Sequence, residues 1–193
     1  MIAPRTPWSC VLPADTASTL APVIAAVSFD HQGSQCLRQA CQRAAHTGQP
    51  VIALHVVYES GRTIGLYHRH DSRPGLMPIA DIAKQMLAEE VAECVGSDPA
   101  YKTVEIRQLA LAGLPGKRIP EVAELIGAEL IVIGDGPRQG LTRLLSSNSV
   151  TRTVMRRAPC AVLVIDDTGN TIDAQTPPPR QGNRSYPSML QTP

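Results

Sequence analysis

Three glycines, Gly134, Gly136 and Gly140, follow an apolar run, Leu130–Ile133. A segment rich in hydroxyls and arginines comes next, and then a second apolar run, Ala161–Ile165. Strand, glycine loop, helix and strand in that order are the parts of a phosphate site. The free amides at a helix N-terminus present partial positive charge to an anion. On this reading Gly134, Arg138, Gly140, Asn148 and Ser149 hold phosphates, with Arg143 or Arg152 nearby. On the other reading the glycines only make a tight turn from strand to helix. Two residues work against phosphate. Pro137 fixes φ and lacks an amide donor. Asp135 brings a negative charge to the same loop.

Other chemistry is sparse. Ser146, Ser147 and Ser149 have no histidine near them in sequence, and no G-x-S-x-G elbow occurs. No lysine follows the loop as in a Walker A motif. No catalytic residues are therefore assigned. His68, His70 and Asp71 are spaced to approach one another, but two imidazoles without a fourth ligand do not make a zinc site, and no metal is expected. His55, inside an apolar run, reads as a satisfied core histidine. Arg152, Arg156 and Arg157 fall near the end of a helix, where positive charge is favourable without any ligand.

These residues need a frame, and the pattern of apolar runs supplies one. Val23–Val27, Val51–Val57, Leu130–Ile133 and Ala161–Ile165 are short apolar runs, and Val104–Leu109 alternates. Runs apolar on both faces belong to strands covered on both sides, as in parallel sheets. Ser34–Thr47, Pro78–Val95, Lys117–Ile126 and Ser149–Arg157 carry helical spacing, and glycine follows the first three. The expectation is one doubly wound α/β domain: a five-stranded parallel sheet with helices on both faces. Ligands of such sheets bind at the carboxyl ends of the strands. Residues 59–77 read as a long loop over that edge.

Composition narrows the function classes. The net charge is +1 and aromatics are 3% of the 193 residues. A nucleic-acid protein usually shows a strongly basic face or an aromatic stacking platform, so no nucleic-acid partner is expected. No apolar run approaches the ~18 residues of a membrane span, and the start of the chain lacks a secretory pattern. Cys10, Cys36, Cys41, Cys94 and Cys160 are scattered, without a C-x-x-C pair, and read as reduced, mostly buried thiols. Residues 1–19 and 167–193 are rich in Pro, Ser, Thr, Gln and Asn and read as disordered tails around a domain spanning 20–166.

The motifs VIALHVV at Val51–Val57, GAELIVIGDG at Gly127–Gly136, GLTRLL at Gly140–Leu145 and RRAPCAVLVI at Arg156–Ile165 resemble those of universal stress proteins. The G-x-P phrase of that family falls on Gly113, Leu114 and Pro115. The resemblance covers about Ala21 to Asp166. It implies a flavodoxin-like fold, akin to the adenine nucleotide alpha hydrolases. It also implies a cytoplasmic, non-enzymatic stress-response protein that dimerises through its last strand, Ala161–Ile165.

One branch of the family binds ATP through G-x2-G-x9-G-[ST], and the other branch lacks that motif. Here Gly134 holds the first glycine's place, Pro137 the second, and Asn148 and Ser149 the final pair, with one extra residue of spacing. Gly136 offers a shifted turn. The family's Asp after the first strand is Ser28, with Asp30 two residues on. Val56 and Ile133 suit a base pocket, and Val150 completes the set beside Ser149. The resemblance thus implies a degenerate pocket for an adenine nucleotide, ATP or AMP. The alternatives are a dimeric interaction module of the same fold that binds no nucleotide, or an enzyme of the wider superfamily.

Overall fold

The computed structural model describes residues 20–58, 79–135, 150–166 and 168–176. Its elements run β1 (Val23–Ala26), α1 (His31–Thr47), β2 (Val51–Tyr58), α2 (Ile79–Ser97), β3 (Ile106–Gly113), α3 (Pro115–Ile126), β4 (Leu130–Gly134), α4 (Val150–Arg157), β5 (Ala161–Ile165) and β6 (Thr171–Gln175). They build a six-stranded sheet in the order β3-β2-β1-β4-β5-β6. Strands β1 to β5 are parallel, and β6 runs antiparallel to β5.

Alternation along the strands separates two cores. Val23, Ala25, Val51, Ala53, Leu130 and Val132 face α1 and α2, where Leu37, Ala40, Leu87 and Val91 meet them. Ile24, Ile52, Leu54, Ile131, Ile133, Val162 and Val164 face α3 and α4, against Ile119, Val122, Ala123 and Val154. Ile24, Leu37, Leu54, Leu87 and Ile131 are almost wholly buried. Each such side chain contributes about 1.5–3 kcal/mol relative to exposure. With a single phenylalanine in the chain, the cores are aliphatic.

Local signals set the helix ends. The Asp30 carboxylate accepts the Gly33 amide at 2.8 Å and starts α1. Gly48 and Gly127 end α1 and α3 with positive φ of 71° and 64°. Pro115 lies in the first turn of α3, where its missing amide costs nothing.

Besides shifts of one or two residues at the ends of α2, α3 and α4, the structure departs from the sequence expectation in three places. Strand β3 lies later than Val104–Leu109, because a 3-10 turn at Pro99–Thr103 intervenes and Val104 closes it. Helix α1 begins at His31 rather than Ser34, because the cap is Asp30. The sheet has a sixth strand inside the segment expected to be a disordered tail. That last correction has a local cause. The Asp166 carboxylate accepts the Thr168 amide at 2.9 Å, the Thr168 hydroxyl at 2.6 Å and the Asn170 amide at 2.9 Å. Gly169 adopts a φ of 84°, and its carbonyl accepts Gln39 Nε2 at 2.9 Å. The resulting turn folds β6 back onto β5.

The fold therefore also changes the expectation for dimerisation. Ala161–Ile165 does not offer a free edge, because β6 pairs along it from Val162 to Ile165.

Candidate functional site

The order of the strands reverses at β1, whose neighbours are β2 and β4. Ligands of open α/β sheets bind in the crevice at such a switch point, beyond the carboxyl ends of the strands. A cavity of about 230 Å³ lies there. Ala26, Val27 and Ser28 line it from the end of β1, and Leu54, His55 and Val56 from β2. Ile133 and Gly134 close it at β4, Pro115 and Ile119 at α3, and Val150 and Thr151 at α4. Most of this wall is apolar, the usual lining of a small-molecule site.

Five residues expected at the site are thus brought together: Ser28, Val56, Ile133, Gly134 and Val150. Gly136, Arg138, Gly140, Asn148 and Ser149 lie outside the described residues, as do Pro137, His68, His70 and Asp71. Asp135 is not among the lining residues, and its amide donates to the Ile165 carbonyl at 3.0 Å. Among the described residues, no group of three His, Cys, Asp or Glu side chains is placed to hold a metal ion.

The wall at β1 is tightly organised. Asp30 also accepts the Ser28 hydroxyl, at 2.7 Å, so one carboxylate oxygen serves both the loop and the helix cap. A Cβ added at Gly33 would stand 1.7 Å from the Ser28 carbonyl oxygen, so only glycine lets α1 start this close to β1. His55 donates from Nδ1 to the Val27 carbonyl at 2.7 Å, which leaves Nε2 of the neutral ring as an acceptor. Its ring stacks on Phe29 with centroids 4.0 Å apart. Burial lowers the His55 pKa, and the bond to Val27 opposes that only in part. The expected satisfied histidine is therefore found, but at the rim of the cavity.

The wall at β4 is held by two residues with no recognisable sequence signal. Thr151 is buried and donates its hydroxyl to the Gly134 carbonyl at 2.6 Å, which ties the first turn of α4 to the end of β4. Gln32 reaches across from α1 and lies over Gly134, where a Cβ would meet its amide at 2.5 Å. A side chain at position 134 would have to displace the end of Gln32, and no positive φ calls for glycine there. Nothing in a linear pattern marks Gln32, Gly33 or Thr151, because each matters through a partner remote in sequence or in the adjoining loop.

Several solved structures share this fold. A universal stress protein in complex with cAMP superimposes with a TM-score of 0.55 at 20% identity, covering 76% of this chain and 97% of that one. A universal stress protein from Archaeoglobus fulgidus gives 0.51 at 23% identity, covering 75% and 93%. A member of the family from Burkholderia pseudomallei gives 0.50 at 20% identity, covering 78% and 98%. No curated protein matches the chain by sequence. The profile of the universal stress protein family matches residues 20–166, which hold every strand but β6 and every wall of the cavity. The chain belongs to the universal stress protein family.

Proposed function

We propose that this chain is a non-enzymatic stress-response protein that binds an adenine nucleotide, AMP or ATP, at the switch point. The observation that carries this reading is the apolar cavity between Val56 and Ile133, at the end of β4 marked by Gly134. A base fits between aliphatic walls, and a phosphate fits near the amides where α4 begins. The structural relative in complex with cAMP adds support, since its fold is the same. The volume of about 230 Å³ lies below the ~300–1,000 Å³ of typical ligand pockets and favours a compact nucleotide.

A second reading, an interaction module without nucleotide, rests on two observations. Asp30 is committed to capping α1, and Gln32 lies over Gly134. Small molecules released from undialysed protein separate the two readings by mass spectrometry. AMP, ADP or ATP in stoichiometric amount supports the first. No heat on calorimetric titration with millimolar AMP or ATP, with and without magnesium, overturns it.

Cytoplasmic placement and self-association complete the proposal. Cys36, Cys41, Cys94 and Cys160 are buried thiols outside any disulfide, which fits a reducing compartment. No helix among the described residues is long and apolar enough to cross a membrane. Homodimer formation rests on the family resemblance. A single species at 20.7 kDa in sedimentation would remove it.

A further inference from the structure

Outside the cavity, two thiols meet across a helix pair. Cys41 on α1 and Cys94 on α2 are both buried, and their sulfurs lie 3.9 Å apart. Closing that gap to the ~2.05 Å of a disulfide needs a movement of about 2 Å. The place is suited to it. Cys94 sits in the last turn of α2, three residues before the helix ends at Ser97, and helix ends yield more easily than middles. Ser97 Oγ bonds the Cys94 carbonyl at 2.6 Å and keeps that turn closed around the thiol.

The surroundings favour one thiol as the attacking group. The hydrogen bond that joins Cys94 to Cys41 and the charge of Arg38, one turn earlier on α1, lower the Cys94 pKa, and burial opposes them. The same bond and burial push Cys41 upward, so it stays protonated. Arg38 Nε is buried without a hydrogen-bond partner, so no other group at that atom competes for it. Glu90 and Glu93 of α2 oppose thiolate formation, and Glu90 is hydrogen-bonded to the Ser34 hydroxyl. Tyr101, from the turn at Pro99–Thr103, faces the same cluster and is itself held neutral. Cys36 differs: burial drives its pKa up to about 12. Cys160 packs in the opposite core, on the far side of the sheet.

We propose that Cys41 and Cys94 form a reversible disulfide in response to peroxides, a redox modification site that staples α1 to α2. The Cys94 thiolate attacks one peroxide oxygen, breaks the O–O bond and becomes a sulfenic acid, and the hydroxide that leaves takes a proton from solvent to become water. The Cys41 thiol then attacks that sulfur, the S–S bond forms and a second water leaves. Two electrons pass from the thiols to the peroxide, and a dithiol reductant restores the starting state. The pair acts whether or not the cavity takes a nucleotide.

The test treats the full chain with graded hydrogen peroxide at several pH values, alkylates it and maps its peptides. The expected product is a Cys41 peptide joined to a Cys94 peptide with loss of two hydrogen atoms, reversed by dithiothreitol, while Cys36 and Cys160 remain alkylated. Mapping also separates this link from any involving Cys10. In Cys41→Ser, Cys94 should advance to sulfinic acid, since nothing resolves the sulfenic acid. Arg38→Met keeps both thiols. It should move the pH profile of disulfide formation upward and slow it at neutral pH. Failure to find the joined peptides in native protein overturns the proposal, as does their appearance only after denaturation. An unmoved pH profile in Arg38→Met overturns the role given to Arg38.

Discussion

Helices α1 and α4 both begin at the switch point, α1 after β1 and α4 in the stretch that follows β4, yet their first turns are used differently. The N-terminus of α1 is closed by its own chain. Asp30 takes the Gly33 amide, Ser28 bonds Asp30, and the Gly33 backbone packs against the Ser28 carbonyl. The first turn of α4 instead spends a side chain, Thr151, on the end of β4. A helix start whose cap is already a carboxylate is a poor seat for an anion. The contrast teaches that one helix end is a structural joint; under the proposed function, the phosphate end of a ligand is assigned to the other.

The sharpest way to break this comparison is Gly33→Ala. Its Cβ would overlap backbone at 1.7 Å, which no rotamer relieves. The expected cost is about 3 kcal/mol or more, the upper end of overpacking, and thus a fall in melting midpoint of roughly 6 °C or more. A circular-dichroism melt within a degree or two of the parent would show that α1 can start elsewhere. Next in size is Thr151→Val, which leaves the Gly134 carbonyl without its hydroxyl and should cost ~1–3 kcal/mol. It should also weaken AMP binding in titration, because it loosens the end of β4 beside the cavity. Binding at parental strength would argue that α4 does not organise the phosphate end.

Asp30→Ala should cost about 1 kcal/mol as a lost cap while leaving nucleotide affinity unchanged. Asp30→Asn, a good cap, should restore stability. Collapse of affinity in both variants would turn α1 from a joint into a ligand-binding element. The smallest effect is on pH dependence. The folded-state pKa of His55 is depressed, so its neutral form is the one the fold favours. Stability from this group is complete above the unfolded value of about 6.5 and falls as pH drops below it, because the unfolded chain then binds the proton more readily. In His55→Phe that part of the acid slope, read by urea midpoints from neutral to mildly acidic pH, should be missing.

The sequence made the fold legible where side-chain periodicity and burial coincide. Strands β1, β2, β4 and β5 are covered on both faces, and their unbroken apolar runs say so. Strand β3 was placed early because it is an edge strand, half-buried along most of its length, and its alternation fades into the turn before it. Strand β6 was invisible by composition, since four of its five residues are exposed. Its signal was the D-x-T-G-N turn, a matter of backbone geometry rather than hydrophobicity. The site divides in the same way. Val56, Ile133 and Gly134 sit at strand ends and follow from the strand assignments. Gln32, Gly33 and Thr151 act through close approach and hydrogen bonds to backbone that only the folded chain brings near.

The hairpin of β5 and β6 has a consequence for where the protein may be divided. The family match ends at residue 166, inside the turn that Asp166 organises. A chain cut there would lose the acceptors that pair Val162 to Ile165, and the stump would carry a raw hydrophobic margin, the kind that recruits neighbouring chains into aggregates. The boundary inherited from ancestry and the boundary of the autonomous folding unit therefore differ by one strand. Expression boundaries, tags and fusion partners belong beyond Gln175.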